Sequence, residues 1–224
     1  MPARFDLHVH TDASPDSRLR LRDLPRRVES RGLRGVAVTD HNTVANLPKL
    51  AALRDRHPEF LWIPGLEVSA REGHALLYGV ESAPPPRPAL PALADWARDH
   101  NCVLVLAHPL RWIHGAGAAA AREMRVDGLE ALNGRTAATA NARCELLAAR
   151  RGVAVTGGSD AHEPATVGRA YTIFPDDPET VEDLLEMIRH RRTDAGGRSL
   201  SAAGRIALAA RNGLLRAARG FRPV

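Results

Sequence analysis

Short apolar runs rich in β-branched residues alternate with helical patterns along nearly the whole chain. The strand-like runs are Arg4–His10, Gly35–Asp40, Phe60–Val68, His74–Val80, Cys102–His108, Gly128–Leu132, Val153–Gly157 and Ala170–Phe174. Several of them (GVAVTD, CVLVLAH, GVAVTG) are continuous rather than alternating, the pattern of parallel strands covered on both faces. Helical periodicity falls between them at 18–32, 45–57, 90–100, 115–125, 138–151 and 178–192. The last is the best defined. Asp177-Pro178 reads as a cap and first-turn pair, Val181, Leu184, Leu185 and Ile188 share one face, and Arg189, His190, Arg191 and Arg192 crowd the end where the helix dipole favours cations. Repeated βα units without a solenoid period predict an open doubly wound sheet or a closed barrel, and periodicity does not choose between them.

Composition narrows the class. With 44% apolar and 25% charged residues, the 224-residue chain suits a soluble domain with a real core, not a disordered, fibrous or disulfide-stapled one. No apolar run is long enough to span a membrane. The opening MPARFDLHVH has no apolar signal core, and Cys102 and Cys144 lie far apart in apolar surroundings as reduced core thiols, so a cytoplasmic location is expected. The formal charge of +5 is local: residues 195–224 hold six arginines and no acid, while the rest of the chain carries 25 basic and 26 acidic side chains.

The polar residues at strand ends carry the chemistry. The first strand ends in Asp6-Leu7-His8-Val9-His10, where two histidines two residues apart point the same way, about 7 Å apart along the backbone. The second delivers Asp40 and His41, and FLWIPGLEVS buries Glu67 in an apolar run, where an unpartnered carboxylate costs several kcal/mol. His74 follows a polar turn, VLVLAH delivers His108, VAVTGGSDAH delivers Asp160 and His162, and SPDS carries Asp16. Singly, each has a plain reading as a turn or capping residue. Together, six of the ten histidines stand at strand boundaries beside tight exit loops. Imidazole and carboxylate without thiolate select Zn, Mn or Fe, and nine ligands are enough for two or three divalent ions.

The runs DLHVHTDASPDS, TDHNT, GLEVSAREGHALLYG, AHP, LNGRT and GSDAHEPATVGRAYT resemble the PHP (polymerase and histidinol phosphatase) family of metal-dependent phosphoesterases across residues 4–175. The resemblance implies a distorted (βα)7 barrel, expected at 1–198, and the residues that follow read as an arginine-rich helix at 199–224. It implies one ion held by His8, His10, Glu67 and Asp160, a second by Glu67, His74 and His108, and a third by Asp16, His41 and His162. Ser17 stands where many members carry glycine. The implied reaction is hydrolysis of a phosphate ester by a metal-bridging hydroxide, with Glu67, Asp160 and His162 at the centre. Asp6 and Asp40 are expected to orient imidazoles, and Arg111, Arg135 and Arg169 to grip phosphate.

A small phosphorylated substrate such as a nucleotide, sugar phosphate or histidinol phosphate is expected. An exonuclease acting on oligonucleotide ends is the alternative, with Trp112 as a base-stacking surface and His114 as a general acid or base contact. A non-catalytic nucleic-acid-binding module would have lost ligands, and this chain has lost none. Among the readings of 199–224 (docked helix, nucleic-acid grip, oligomer contact, membrane-surface helix), a helix docked on the barrel is expected.

Overall fold

The computed structural model describes residues 1–204, 206 and 207. Each predicted strand is present: β1 (Ala3–Val9), β2 (Gly35–Val38), β3 (Leu61–Ser69), β4 (His74–Tyr78), β5 (Val103–Leu106), β6 (Gly128–Asn133), β7 (Ala154–Gly158) and β8 (Ala170–Phe174). A ninth, β9 (Asp194–Gly197), gave no signal because DAGG holds no apolar run; it exists by pairing antiparallel along the edge of β8. The helices are α1 (Leu24–Ser30), α2 (Leu47–Arg56), α3 (Leu90–Asp99), α4 (Gly117–Glu123), α5 (Ala138–Arg151) and α6 (Val181–Arg189). The first three open on Leu-Pro, where proline's fixed φ suits the first turn and its missing N–H loses nothing.

The strands form one sheet in the order β7-β6-β5-β4-β3-β2-β1-β8-β9. It curls until β7 meets β1 and β8. Gly157 N donates to Thr172 Oγ1 (2.8 Å) and that hydroxyl donates back to Gly157 O (2.9 Å). Just beyond β7, Asp160 N donates to His8 O (2.8 Å) and His10 N to Ala161 O (2.9 Å). The α/β fold is therefore a nearly closed barrel, and the open sheet is excluded. Its strands are not all parallel: β4 runs antiparallel to β3 and β5, and β8 to β1 and β9. Only Ala70–Gly73 separates β3 from β4, too short a connection for a parallel crossover.

The two ends of the barrel differ. At the end where the parallel strands begin, Phe5, Ile63, Val103, Tyr78 and Phe174 pack against Leu184, Leu185 and Ile188 of α6 in one buried cluster. This helix starts at Val181 rather than Pro178. Thr180 Oγ1 accepts from Asp183 N and Asp183 Oδ2 from Thr180 N, both at 3.0 Å, which satisfies two orphan donors reciprocally. Asp177 is instead engaged by Arg34 at 2.7 Å. The opposite end is left to polar residues. Cys102 and Cys144 are buried and unpaired, and burial pushes their thiols up to about 11 and about 12. Among the described residues no helix is long and apolar enough to cross a membrane. Most of the helix expected at 199–224 lies outside the described residues; within them, Leu200 N donates to Gly134 O at 2.7 Å.

The barrel seam is tight. A Cβ on Gly158 would overlap the Cβ of His8 and lie 2.8 Å from its backbone N, so Gly158→Ala forces the seam apart. We expect a loss of about 1–3 kcal/mol in thermal or urea unfolding, the usual penalty of overpacking. A melting temperature equal to that of the parent would show that the seam is looser than drawn.

Candidate metal centre

All nine predicted ligands meet at the polar end, each exposed by 9% or less. Glu67 is the hub. Its Oε1 lies 2.9 Å from His74 Nδ1 and 3.0 Å from His108 Nε2. Its Oε2 lies 2.9 Å from His41 Nδ1, 3.2 Å from His10 Nε2 and 3.4 Å from His8 Nε2. Burial opposes its charge, but His74, His8 and His41 hold the carboxyl well below the usual range. Asp160 Oδ1 lies 3.6 Å from His10 and 4.0 Å from His8, and Asp16 reaches His162 at 3.1 Å and His41 at 3.7 Å.

The directions of the lone pairs fit a cation. His8 Nδ1 donates to Glu130 Oε1 at 2.9 Å, leaving a lone pair on its Nε2. Ser14 Oγ donates to Asp40 at 2.7 Å, so it accepts from His10 Nδ1 (3.3 Å) and leaves a lone pair on that ring's Nε2 as well. These two nitrogens face each other at 3.0 Å, an arrangement that calls for positive charge between them. Ligand atoms converge within 4.8 Å in four groups: His8–His10–Asp160, His8–Glu67–His108, His41–Glu67–His74 and His10–His41–His162. Nitrogen and oxygen donors without sulfur suit Zn, Mn or Fe. Burial, aided by Arg111 at His108 and by Arg135 at His162, lowers both imidazoles toward the neutral form that coordinates. At His8 burial is outweighed by Glu130, Glu67 and Asp160, which push its pKa well above the ordinary value. Three carboxylates around this ring favour positive charge there, as a proton on the ring or as an ion beside it.

Two of the three expected arginines reach the cluster. Arg111 Nη1 donates to Asp160 Oδ2 (2.7 Å) and its Nη2 lies 2.9 Å from His108 Nε2. Arg135 Nη1 donates to Asp160 Oδ1 (3.2 Å) and lies 3.0 Å from His162 Nδ1. Burial opposes charge on Asp160, but Arg135, His8 and Arg111 keep it well below the carboxylate range. Arg169 is not part of this centre; it lies with Arg31 and Arg198 around a separate cavity, because the segment that carries it leaves the cluster after His162.

The imidazole-orienting roles also fall differently. Asp6 reaches no imidazole; it accepts from the backbone N–H groups of His8, Ser159 and Gly168, and burial pushes its carboxyl up to about 6 despite them. Asp40 holds Thr11, Ser14 and Asn46, acting on His10 only through Ser14. The carboxylate that orients an imidazole directly is Glu130, which also accepts from His108 N at 2.8 Å and from Asn133 Nδ2 at 3.1 Å. Its signal was the same as that of Glu67, an acid inside an apolar run (GLEALN). Ser17 donates from Oγ to the carbonyls of His10 (2.9 Å) and His162 (3.1 Å), tying two ligand-bearing loops together. His108 and Asp160 sit in the left-handed region at φ 31° and 54°, a strain of order 1 kcal/mol each, held by their N–H bonds to Glu130 and His8. At the rim, the His114 ring stacks on His74 with centroids 4.7 Å apart, and Trp112 is 98% exposed.

The sequence matches the family described as PHP domain over residues 6–111 and that described as PHP-associated over residues 138–193. No protein of curated function matches it. Among solved structures, it is similar to a two-domain protein from Bacteroides vulgatus containing a predicted PHP-like metal-dependent phosphoesterase: 18% identity, TM-score 0.70, over 95% of this chain and 70% of that one. PsfC from Pseudomonas syringae is similar at 20% identity and TM-score 0.71, over 97% of this chain and 98% of the other. A lesion-specific endonuclease from Pyrococcus furiosus shares 18% identity at TM-score 0.67, over 89% of this chain and 57% of that protein. At these identities the likeness is one of fold.

Glu130→Ala removes the acceptor of His8 Nδ1, His108 N and Asn133 Nδ2 without removing any of the nine converging side chains. Metal affinity, measured by competition with a chelating dye, is expected to fall about 10–100-fold, as for other carboxylates that orient a ligating imidazole. Wild-type affinity in the folded variant would remove Glu130 from the site.

Proposed function

The chain belongs to the PHP family of metal-dependent phosphoesterases, and on that footing we propose that its buried cluster hydrolyses the phosphate ester of a small phosphorylated substrate. One observation carries the reading: both oxygens of Glu67 are shared among five imidazoles, with Asp160 and Asp16 completing the set. His8, His10, Glu67 and Asp160 would hold one ion, Glu67, His74 and His108 a second, and Asp16, His41 and His162 a third. What bound divalent ions supply in such a set is a water acidified toward pKa ~7 and neutralised charge on the phosphoryl oxygens.

The chain's own groups do the rest. Glu67 and Asp160 stay ionised and fix the spacing of the cluster. Arg111 and Arg135, each about a fifth exposed, lie against Asp160 and are the guanidiniums we assign to the substrate's phosphate. Arg135 has Nε and Nη2 to offer, since its contacts at the cluster run through Nη1. His114, stacked on His74 at the rim, is our candidate for the group that protonates the departing alkoxide. Two buried thiols without a disulfide suit a reducing, cytoplasmic setting. Hydrolysis at an oligonucleotide end is the second reading. It is favoured by Trp112, an indole fully open to solvent next to Arg111 and able to stack on a base; the likeness to a lesion-specific endonuclease fits a nucleic-acid substrate in general, not an end in particular. A hydrolysis screen of the metal-loaded protein against nucleotides, sugar phosphates, histidinol phosphate, cyclic phosphates and short oligonucleotides separates the two.

Chelation is expected to abolish hydrolysis of an aryl phosphate, and Mn or Zn to restore it; full turnover by protein shown metal-free by elemental analysis refutes the reading. Glu67→Gln and Asp160→Asn are each expected to lose at least ~10²-fold in turnover while remaining folded by circular dichroism. Arg135→Ala is expected to act mainly by raising KM, and an unchanged KM would place its guanidinium outside the substrate's reach.

A further inference from the structure

Arg31, Arg169 and Arg198 surround a cavity of about 400 Å³ that shares no residue with the metal centre. No carboxylate lines it, and among the described residues none of the three guanidiniums meets an acid. One of their donors is stranded. Arg169 Nε is buried and has no hydrogen-bond partner, which is rare for a charged group. Burial, together with the charges of Arg198 and Arg31, already pulls Arg169 below the ordinary arginine value. Among the described residues no acidic side chain offsets the repulsion.

The backbone around them sets where the three side chains leave the chain, and holds that of Arg31 directly. Arg31 Nη2 donates to Ala165 O at 2.8 Å, and Arg198 N donates to Arg169 O at 2.9 Å. Gly168, at φ +72°, lets the segment lie flat on the stem of Arg31; a Cβ there would come within 2.9 Å of Arg31 Cγ. Tyr171 forms a further wall, and Arg4 stands over its ring at 5.4 Å from the centroid, adding a fourth cation nearby. The cavity is also wired to the site. Gly168 N donates at 2.8 Å to Asp6, the carboxylate that accepts from Ser159 N and His8 N.

We propose that this cavity is a second anion site, which takes a phosphate group outside the metal centre, either in a nucleic-acid strand or as free phosphate. Planar guanidiniums around one space match the tetrahedral oxyanion, whose charge offsets their mutual repulsion. The site stands whether or not the metal centre is a hydrolase.

The test compares the metal-loaded protein with its Arg31→Gln/Arg198→Gln variant, using aryl phosphate turnover and circular dichroism as controls. Arg198→Gln alone keeps the Arg31–Ala165 bond and carries the test if the double variant is unstable. Inorganic phosphate binding is read by calorimetry, and binding of a labelled single-stranded oligonucleotide with both ends blocked is read by fluorescence anisotropy. At unchanged turnover, at least one probe is expected to bind the double variant about fivefold or more weakly. A loss confined to the oligonucleotide, with a salt slope shallower by about two counterions, assigns the phosphate to a strand. A loss confined to inorganic phosphate assigns it to the free ion, and losses on both leave the cavity reading phosphate from either source. Equal affinities in wild type and variant, or no binding of either probe by the wild type, overturn the site.

Discussion

A carboxylate 1% exposed, with both oxygens already within reach of imidazole, is the condition that the polar end of this barrel has to satisfy. Removing the charge of Glu67 from water costs several kcal/mol unless charge and donors replace the solvent. Five imidazoles provide that replacement, and each must then be held by its other nitrogen or its backbone. The requirement spreads outward through pairs that are easy to trace. His8 leans on Glu130, His10 on Ser14 and through it on Asp40, and Asp160 on two arginines. One buried charge thus recruits a polar web reaching residues that touch no ligand atom.

Such a web is tolerable only because the rest of the molecule is dry and well packed. The strand origins are sealed by the α6 face, so the polar web occupies one end of the barrel alone. The seam joins the two economies. Asp160 closes the barrel through its N–H bond to His8 while its side chain faces the cluster, and it adopts a left-handed backbone to do both. The same residue is a hinge of the fold and a wall of the site.

Much of this was legible beforehand. The apolar runs located eight strands to within two residues or so, because buried strands must be apolar whatever their partners. The nine converging side chains were legible because histidines and acids at the ends of apolar strands have few other reasons to be there. Direction and pairing were less accessible: an apolar run does not say whether its neighbour is parallel, and β9 has no apolar residue beyond Ala195 to announce it. Glu130 shares the pattern of Glu67, an acid inside an apolar run, but its work is directed at His8 across 122 residues of sequence, which no local pattern shows. Asp6 and Asp40 were given imidazole partners because acids beside ligating strands often have them; here backbone N–H groups and hydroxyls claimed them first. Arg169 shows the same limit, since its motif fixed its place in the chain but not the face of the segment on which it emerges.

The spread of the cluster along the chain, from His8 to His162, bears on how the protein is made. During synthesis His8 and His10 emerge first, and Asp160 joins the chain only after 159 of the 224 residues have been added. A bare histidine pair binds whichever divalent ion is most competitive, and on intrinsic affinity that is copper. Only when the loop after β7 has joined β1 does the number and kind of ligands begin to discriminate. For a metal bound at this cluster, the full set of donors exists only in the finished chain and not in the nascent one.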